Sequence, residues 1–342
     1  MTAEPGSSRP IAVLGAGAFG TALAIQLSRR GARAYLWGRD ATAMATMQES
    51  RENARYLRGC PFPAPLLATA KLAEAVAAAG DLLIATPSPA LRETCELLKP
   101  LIRPEQGVAC ACKGLEPGSG RLAHEVIGDV LAIPGRLRVV AAVSGPTFAR
   151  ELGLGLPTAV TVASNDPAFA ERMAAALHGD GFRAYTSGDV TGVEIGGAAK
   201  NVIAIAVGIA DGLGLGANTR AALITRGLNE ISRLGAALGA QPETLMGLSG
   251  LGDLVLTCTD DQSRNRRYGL LLGQGKTPEQ ARAAIEGVVE GLRAAPEVLR
   301  LAQRHQVEMP LLEMAGAVIA GQVKPVEAVM RLAGRPQKAE SG

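Results

Sequence analysis

One lysine stands in a sequence context that is unusual for a charged side chain. Lys200 lies in the stretch EIGGAAKNVI, about one helical turn after Gly196 and Gly197 and just before a long apolar run. Only seven of the 35 basic residues are lysines, and lysine can exchange a proton at accessible pH, which arginine effectively cannot. We therefore predict that Lys200 acts as an acid or base, and that the two glycines leave room for a substrate beside its amine. The alternative is a lysine whose stem follows a core helix and whose amine reaches solvent.

Three other groups could hold a substrate against this amine. Lys113 ends an apparent strand in CACKGLEPGS, and Gly145 and Thr147 follow another strand in VSGPTFARE. Ligands of open α/β sheets bind at the carboxyl ends of the strands, so both stretches face a predicted site. A solvated loop lysine and a plain turn are the respective alternatives. Asp253, in the apolar run LSGLGDLVLTC, is either a helix cap or the partner of a buried cation.

The polar stretch DQSRNRRYG is typical of a phosphate site. Ser263, Arg264 and Asn265 stand where a helix is predicted to begin. Hydroxyl and amide donors, an arginine fork and the free backbone N–H groups of a helix start all suit a phosphate. The next two arginines, Arg266 and Arg267, are instead expected to lie in solvent on the same helix.

The motif GAGAFG predicts a dinucleotide-binding site. Gly15, Gly17 and Gly20 come directly after the apolar run IAVL and open a helical stretch. The chemistry needs glycine for the tight turn, for close approach to a pyrophosphate and for helix–strand packing. A glycine motif alone is weak, and a generic strand–helix turn is the alternative, but here the strand and the helix are both in place.

The end of the second predicted strand indicates which dinucleotide binds. In WGRD, Arg39 occupies the place where a residue usually meets the adenosine ribose. An arginine there favours a 2′-phosphate, so we predict NADP(H), with NAD(H) as the alternative. Asp40 is better explained as the N-cap of the helix ATAMATM.

The elements that must position these groups fall into two regions. Up to about residue 190, short apolar runs alternate with helical ones, which predicts an α/β fold with a doubly wound, mainly parallel sheet of the Rossmann type. Beyond that residue the periodicity is helical. The predicted divisions are a flexible tail at 1–9, an NAD(P)-binding domain at 10–190, an all-helical substrate and catalytic domain at 191–335, and a flexible tail at 336–342.

Composition excludes several classes of protein. The chain has 342 residues, 47% of them hydrophobic, and a net charge of only +3. That balance argues against a nucleic-acid partner, and no apolar run reaches the roughly 18 residues of a membrane span. The three histidines and five cysteines show no metal-site spacing, and the N-terminus does not resemble a signal peptide. We expect a reduced, cytoplasmic protein without a metal.

Several stretches together closely resemble one enzyme family. They are VLGAGAFGTALA, WGRD, ACKGLE, SGPTFA, GGAAKNVIAIAVGIADGLGLGANTRAALITRGLNEI, LSGLGDLVLTC and SRNRRYG. In this order and spacing they are similar to the bacterial NAD(P)-dependent sn-glycerol-3-phosphate dehydrogenases, over nearly the whole chain. The resemblance implies reversible reduction of dihydroxyacetone phosphate to sn-glycerol 3-phosphate, which supplies glycerophospholipid synthesis. The partner is then a small phosphorylated substrate, and a homodimer is an open expectation.

The resemblance also implies roles for individual positions. The family's proton-transferring lysine matches Lys200, its second active-site lysine matches Lys113 and its aspartate matches Asp253, and all three are expected to contact substrate. The other substrate contacts match Gly145, Thr147, Ser263, Arg264 and Asn265. Beyond the three motif glycines, the cofactor contacts match Ala18, Phe19, Arg39, Lys113, Ala149, Arg264, Val288 and Glu290. Asn201 and Thr257 match supporting positions beside the reacting groups.

Two positions depart from the family pattern, and two rival functions stay open. Arg58 stands where proline is common, which leaves the pose of the nearby Tyr56 open, and Ala18 replaces a frequent serine. One rival is a β-hydroxyacid dehydrogenase of the 6-phosphogluconate type. Such enzymes commonly have asparagine four residues after the lysine, where this chain has Ala204. The other rival is a non-catalytic dinucleotide sensor, which would not need the lysine together with the SRN stretch.

Overall fold

The computed structural model of the protein describes residues 9–29 and 31–336. An eight-stranded sheet organises the first half of the chain. The strands are β1 (Ile11–Leu14), β2 (Ala34–Trp37), β3 (Leu66–Thr69), β4 (Asp81–Ile84), β5 (Val108–Cys110), β6 (Val140–Ser144), β7 (Thr158–Ser164) and β8 (Phe182–Ser187). Every residue of β1 and β4 is buried, as expected for central parallel strands that helices cover on both faces.

The strand order identifies the edge where a ligand should bind. The order is β3-β2-β1-β4-β5-β6-β7-β8. Neighbours from β3 to β6 are parallel, β7 is antiparallel to β6, and β8 is parallel to β7. The chain therefore leaves β1 towards β2 and returns to β4 on the other side of β1. Ligands of doubly wound sheets bind at such a reversal. The predicted mainly parallel sheet is confirmed.

Helices follow the strands and cover the sheet. They are α1 (Ala18–Arg29), α2 (Ala41–Ser50), α3 (Leu72–Ala78), α4 (Leu91–Leu98), α5 (Ala123–Val130), α6 (Ala149–Leu154) and α7 (Pro167–Leu177), with a 3₁₀ turn at Ser88–Ala90. Asp40 caps α2, because its carboxylate accepts a hydrogen bond from the backbone N–H of Ala43 at 3.0 Å. The assignment of Asp40 to a helix cap rather than to the ribose is thus consistent with the geometry.

The second half of the described chain is helical. Its helices are α8 (Val190–Gly212), α9 (Gly216–Ala237), α10 (Pro242–Met246), α11 (Asp253–Thr259), α12 (Arg264–Gly273), α13 (Pro278–Ala283), α14 (Glu290–Arg304), α15 (Pro310–Ile319) and α16 (Pro325–Ala333). A π-helical turn at Leu248–Gly252 leads directly into α11. In the described part, α8 alone is long and apolar enough to cross a membrane, but 94% of its apolar window is buried inside the protein, as in the core helix of a folded domain.

α12 packs so closely on α8 that side chains are excluded from the contact. A Cβ atom at Gly208 would lie 2.1 Å from the carbonyl oxygen of Arg266, and one at Gly269 would lie 2.0 Å from that of Ile205. Arg266 is turned towards α8, where its Nε and Nη2 lie 3.0 and 2.7 Å from Asp211 Oδ2.

The predicted solvent exposure of Arg266 is therefore wrong, whereas Arg267 is exposed as predicted. The sequence pattern missed the partner of Arg266, because Asp211 is distant in sequence and reaches Arg266 only where the end of α8 lies beside α12. The buried pair ties the start of α12 to α8, and so fixes the residues just before and after that start.

The strand-bearing region ends at Ser187 and the helical region begins with α8 at Val190. α8 packs against β6 and β7 as well as against α9, α11 and α12, so the two regions share it. The division into domains at residues 190 and 191 stays a prediction. The tails predicted at 1–9 and 336–342 lie outside the described residues, apart from Arg9 and Pro336.

Candidate active site

A cavity of about 1100 Å³ opens at the carboxyl ends of β1 and β4 and extends to α8, α11 and α12. Most of the residues predicted from the sequence line it. These are Gly15, Gly17, Ala18, Phe19, Arg39, Lys113, Thr147, Ala149, Lys200, Asp253, Ser263, Arg264, Asn265, Val288 and Glu290. The supporting residues Asn201 and Thr257 line it as well. Residues far apart in sequence thus meet around a single space.

Two predicted residues lie behind the cavity wall rather than on it. Gly20 is buried inside α1. The carbonyl oxygen of Gly145 accepts hydrogen bonds from Lys113 Nζ at 3.0 Å and from Thr147 Oγ1 at 2.8 Å. Gly145 therefore holds two cavity residues in place, and its predicted direct contact with substrate has no support from this arrangement.

At the inner end of the cavity, one carboxylate lies between two ammonium groups. Lys113 Nζ lies 2.8 Å from Asp253 Oδ2, and Lys200 Nζ donates to Asp253 Oδ1. Lys200 Nζ also donates to Thr257 Oγ1 at 2.9 Å. We call Lys113, Lys200 and Asp253 the lysine–aspartate cluster. Of the two readings of Asp253, partner of a buried cation or helix cap, the geometry favours the first.

Lys200 is buried, with only 5% of its surface exposed, so the alternative of an amine that reaches solvent is wrong. The pKa of Lys200 is lowered to about 8, mainly by burial and in smaller part by Lys113, while the nearby Asp253 acts in the opposite direction. An amine with such a pKa holds its proton at neutral pH and releases it within reach of physiological conditions. The cluster as a whole carries two positive groups and one negative group, which leaves an excess of positive charge beside the cavity.

The two glycines before Lys200 make room for protein rather than for a substrate. A Cβ atom at Gly196 would lie 2.7 Å from the carbonyl oxygen of Ser249, and one at Gly197 would lie 3.1 Å from Ser144 Oγ and 3.7 Å from Lys113 Cγ. The predicted glycine-lined space for substrate is thus wrong. Gly196 instead admits the backbone that precedes Asp253, and Gly197 leaves room for the side chains of Ser144, at the end of β6, and of Lys113.

Two asparagine side chains join the elements around the cluster. Asn265 Nδ2 donates to Asn201 Oδ1 at 2.8 Å, and the backbone N–H of Gly291 donates to Asn265 Oδ1 at 2.9 Å. Asn201 Nδ2 in turn lies 3.4 Å from the carbonyl oxygen of Lys113. These contacts connect the loop after β5 with α8, α12 and α14. Asn265 keeps one amide N–H for a ligand, because only one of the two N–H groups of Nδ2 binds Asn201.

The start of α12 forms the second polar end of the cavity. Ser263 is its N-cap and accepts a hydrogen bond from the backbone N–H of Arg266 at 3.2 Å. Arg264, the first residue of the helix, is exposed to the cavity and lies against Gly287. A helix start with an arginine and an asparagine facing a cavity attracts a phosphate.

The glycine turn between β1 and α1 fits a dinucleotide. Gly15 has a φ of +123°, and a Cβ atom there would lie 2.7 Å from the carbonyl oxygen of Ala85, so no other residue suits the turn. Gly20 would place a Cβ atom 2.0 Å from the carbonyl oxygen of Gly15. A Cβ atom at Gly17 would meet nothing within 4 Å. The cavity therefore has free space at the first turn of α1, where the unpaired N–H groups favour a pyrophosphate.

Several cavity residues were not predicted from the sequence. Glu93 of α4 lies opposite Arg39, with Arg39 Nη1 3.1 Å from Glu93 Oε2. Thr86 and Ser88 line the cavity just after β4. The available signal was positional: the stretch DLLIATPSPA ends a strand at the same edge of the sheet as the predicted loops.

The departures noted at Ala18 and Arg58 are resolved in part. Ala18 lines the cavity, so a hydroxyl is absent from its wall there. Tyr56 also lines the cavity, is 50% exposed and has the guanidinium of Arg55 5.0 Å from its ring centre.

Among the described residues, no group of three or more His, Cys, Asp or Glu side chains is arranged to hold a metal ion.

Two family models match this chain in tandem. The model for the N-terminal region of NAD-dependent glycerol-3-phosphate dehydrogenase matches residues 10–170, and the model for its C-terminal region matches residues 189–330. The first match contains the glycine turn, and the second contains Lys200, Asp253 and the start of α12.

Individual proteins agree with the family models over almost their full lengths. The chain is 54% identical over 330 residues to glycerol-3-phosphate dehydrogenase [NAD(P)+] of Stenotrophomonas maltophilia, covering 96% of both proteins. It is 52% identical over 336 residues to the Xanthomonas oryzae pv. oryzae enzyme of that name, covering 98% of this chain and 97% of the other.

A solved structure gives the same result. The fold matches the crystal structure of glycerol-3-phosphate dehydrogenase from Coxiella burnetii with a TM-score of 0.91 and 46% identity, over 96% of this chain and 99% of that one. The agreement of sequence, fold and family models leads to one conclusion. This chain belongs to the NAD-dependent glycerol-3-phosphate dehydrogenase family.

Proposed function

We propose that this protein catalyses the reversible, NAD(P)H-dependent reduction of dihydroxyacetone phosphate to sn-glycerol 3-phosphate. Its relatives carry the name glycerol-3-phosphate dehydrogenase [NAD(P)+]. One observation supports the proposal above all: a single cavity joins a glycine turn for a dinucleotide, a buried lysine clamped by a carboxylate and a helix start suited to a phosphate.

The cofactor would lie along the sheet edge. Gly15 and Gly17 at the start of α1 would receive its pyrophosphate, and Arg39 would meet the adenosine ribose. When bound, the nicotinamide supplies the hydride that reduces a carbonyl carbon. Phe19 lies beside the lysine–aspartate cluster, with Lys113 Nζ 5.5 Å from its ring centre, so this end of the cavity is where the reacting groups would meet.

The protein's contribution to the chemistry is a proton and positive charge. We propose that Lys200 donates a proton from Nζ to the carbonyl oxygen as negative charge develops there. Lys113 would add a second positive charge, while Asp253 and Thr257 fix the position of the Lys200 amine. Arg264 would hold the phosphate, so that binding energy far from the carbonyl positions it for reaction.

A panel of cofactors and substrates tests this function. We expect oxidation of NADPH or NADH, followed at the nicotinamide absorbance band, only when dihydroxyacetone phosphate is added. Oxidation of NADPH or NADH with a 3-keto acid but not with dihydroxyacetone phosphate would favour the β-hydroxyacid dehydrogenase. Tight cofactor binding without turnover on any substrate would favour the sensor.

Arg264→Ala is expected to raise KM for dihydroxyacetone phosphate by about 10-fold to 100-fold, because a charged phosphate contact is lost. The preference over unphosphorylated dihydroxyacetone should fall with it. Arg267→Ala is the matched control, since Arg267 is an exposed arginine on the same helix and does not line the cavity. If R264A prefers dihydroxyacetone phosphate over dihydroxyacetone as strongly as wild type does, Arg264 is not the phosphate anchor.

Arg39→Ala is expected to weaken NADPH binding by about 10-fold while NADH binding changes little, because only NADPH carries the 2′-phosphate. Dissociation constants measured by nicotinamide fluorescence decide the matter. An equal loss of affinity for NADPH and NADH in R39A would show that Arg39 does not contact the 2′-phosphate.

Three further features stay proposals. We propose that the product feeds glycerophospholipid synthesis, that the protein is cytoplasmic and that it forms a homodimer. Incorporation of labelled glycerol backbone into lipid in a depleted strain, cell fractionation and analytical ultracentrifugation test these three statements separately.

A further inference from the structure

Arg39, the residue proposed to meet the adenosine ribose, already has an ionic partner across the cavity. Arg39 Nη1 lies 3.2 Å from Glu93 Oε1 and 3.1 Å from Glu93 Oε2. Arg39 follows β2, whereas Glu93 belongs to the first turn of α4, on the other side of β1. The two elements therefore bring opposite charges together at the place where a 2′-phosphate or a 2′-hydroxyl would lie.

This ion pair is easy to open. The side chains of Arg39 and Glu93 are 66% and 56% exposed, and exposed ion pairs contribute little to stability. One arginine nitrogen makes both contacts to the carboxylate, so the two-pronged geometry that a guanidinium prefers is not used. A 2′-phosphate can offer that geometry, and would compete with Glu93 for the arginine.

The other charged side chains near Arg39 and Glu93 have partners of their own. Asp40 caps α2 through the backbone N–H of Ala43, and Glu52 accepts the backbone N–H of Gly59. Arg92, next to Glu93 on α4, binds Glu116 and Asp129 instead. These partners leave Glu93 as the carboxylate that faces Arg39 in the described cavity wall.

The position of Glu93 opposite Arg39 has opposite consequences for NADPH and NADH binding. With NADPH, Glu93 loses its hold on Arg39 and its negative charge lies near that of the 2′-phosphate, which weakens binding. With NADH there is no phosphate, so the pair persists, and a carboxylate at a ribose can also accept a hydrogen bond from the 2′-hydroxyl. The position after β2 that commonly carries an acidic residue holds Arg39 here, and the next residue, Asp40, caps α2. A carboxylate therefore comes from α4, across the cavity.

We propose that Glu93 is a specificity-determining residue that sets the balance between NADPH and NADH by competing with the 2′-phosphate for Arg39. The proposal rests on the cofactor use in the proposed function. The preference for NADPH then depends on two opposing effects: Arg39 strengthens NADPH binding and Glu93 weakens it.

The experiment compares wild type, Glu93→Gln and Glu96→Gln in the full-length protein without substrate. Glu96 is the matched control, because it is an exposed carboxylate on the same helix and does not line the cavity. Dissociation constants for NADPH and NADH are measured from the fluorescence of Trp37, which is the chain's one tryptophan and lines the cavity, and are checked by calorimetry.

We expect E93Q to bind NADPH about threefold to tenfold more tightly than wild type, with NADH binding unchanged or weaker and E96Q like wild type. Unchanged or weaker NADPH binding in E93Q, or equal changes for both cofactors, would overturn the proposal while the proposed function stands. Failure of wild type to bind either cofactor would overturn both. Equal thermal midpoints for the three proteins exclude a change in folding.

Discussion

Replacing Lys200 with alanine is expected to lower kcat by at least about 100-fold, because the carbonyl oxygen loses its proton donor in the transition state. The amine of Lys200 is buried and bound to Asp253 and Thr257, so its removal takes away a donor that the protein holds in a fixed position. Turnover of dihydroxyacetone phosphate with NADPH measures the effect. KM for dihydroxyacetone phosphate should change much less than kcat, since the phosphate contacts remain.

Two further variants make this result interpretable. Lys200→Met keeps most of the side-chain volume without the charge, so its kcat should fall as far as that of K200A. Lys276→Ala removes an exposed lysine that does not line the cavity, and should behave like wild type. Turnover of either Lys200 variant near that of wild type would refute the proposed role of the amine.

Asp253→Asn is expected to lower kcat by about 100-fold or more and to reduce the free energy of unfolding, because two ammonium groups then face each other without a counter-charge. The change is nearly isosteric, so lost packing does not explain the effect. Asp253 raises the pKa of Lys200, so the pKa of Lys200 should fall further in the variant. The pH at which reduction activity declines should therefore move to a lower value.

The control for D253N is Glu243→Gln, which makes the same chemical change at an exposed position on α10. Thermal unfolding and NADPH titration show whether D253N retains its fold and its cofactor site. Wild-type kcat together with an unchanged pH profile would show that Asp253 does not govern the Lys200 amine.

Most of the residues predicted from the sequence line the cavity, but the sequence did not show how they come together. Lys113, Lys200 and Asp253 were identified from glycine-rich or apolar surroundings, and the loop that carries Lys113 from the carboxyl end of a predicted strand. The role of Gly196 could not be predicted, because the backbone it admits belongs to a π-helical turn about fifty residues away in sequence. A pattern of glycines shows that close approach is allowed, without showing what approaches.

Other errors have the same origin in contacts between distant residues. Arg266 looked like a solvated helix residue because its partner Asp211 lies on another helix. β3 (Leu66–Thr69) was not predicted, because it alternates between buried and half-buried positions at the edge of the sheet, whereas β1 and β4 are buried throughout. Glu93 has no motif of its own, and only the sheet order places α4 beside the residue that follows β2.

The central claim, that the Lys200 amine exchanges the proton of the reaction, is tested most directly by pH profiles of kcat/KM in both directions, because kcat/KM reports the pKa of the free enzyme. Reduction requires the ammonium form, so kcat/KM for dihydroxyacetone phosphate should be high below pH 8 and fall as the pH rises through about 8. Oxidation of sn-glycerol 3-phosphate requires the neutral amine, so its kcat/KM should rise over the same interval. Profiles that change in the same direction, or stay flat between about pH 7 and 9, would contradict the account.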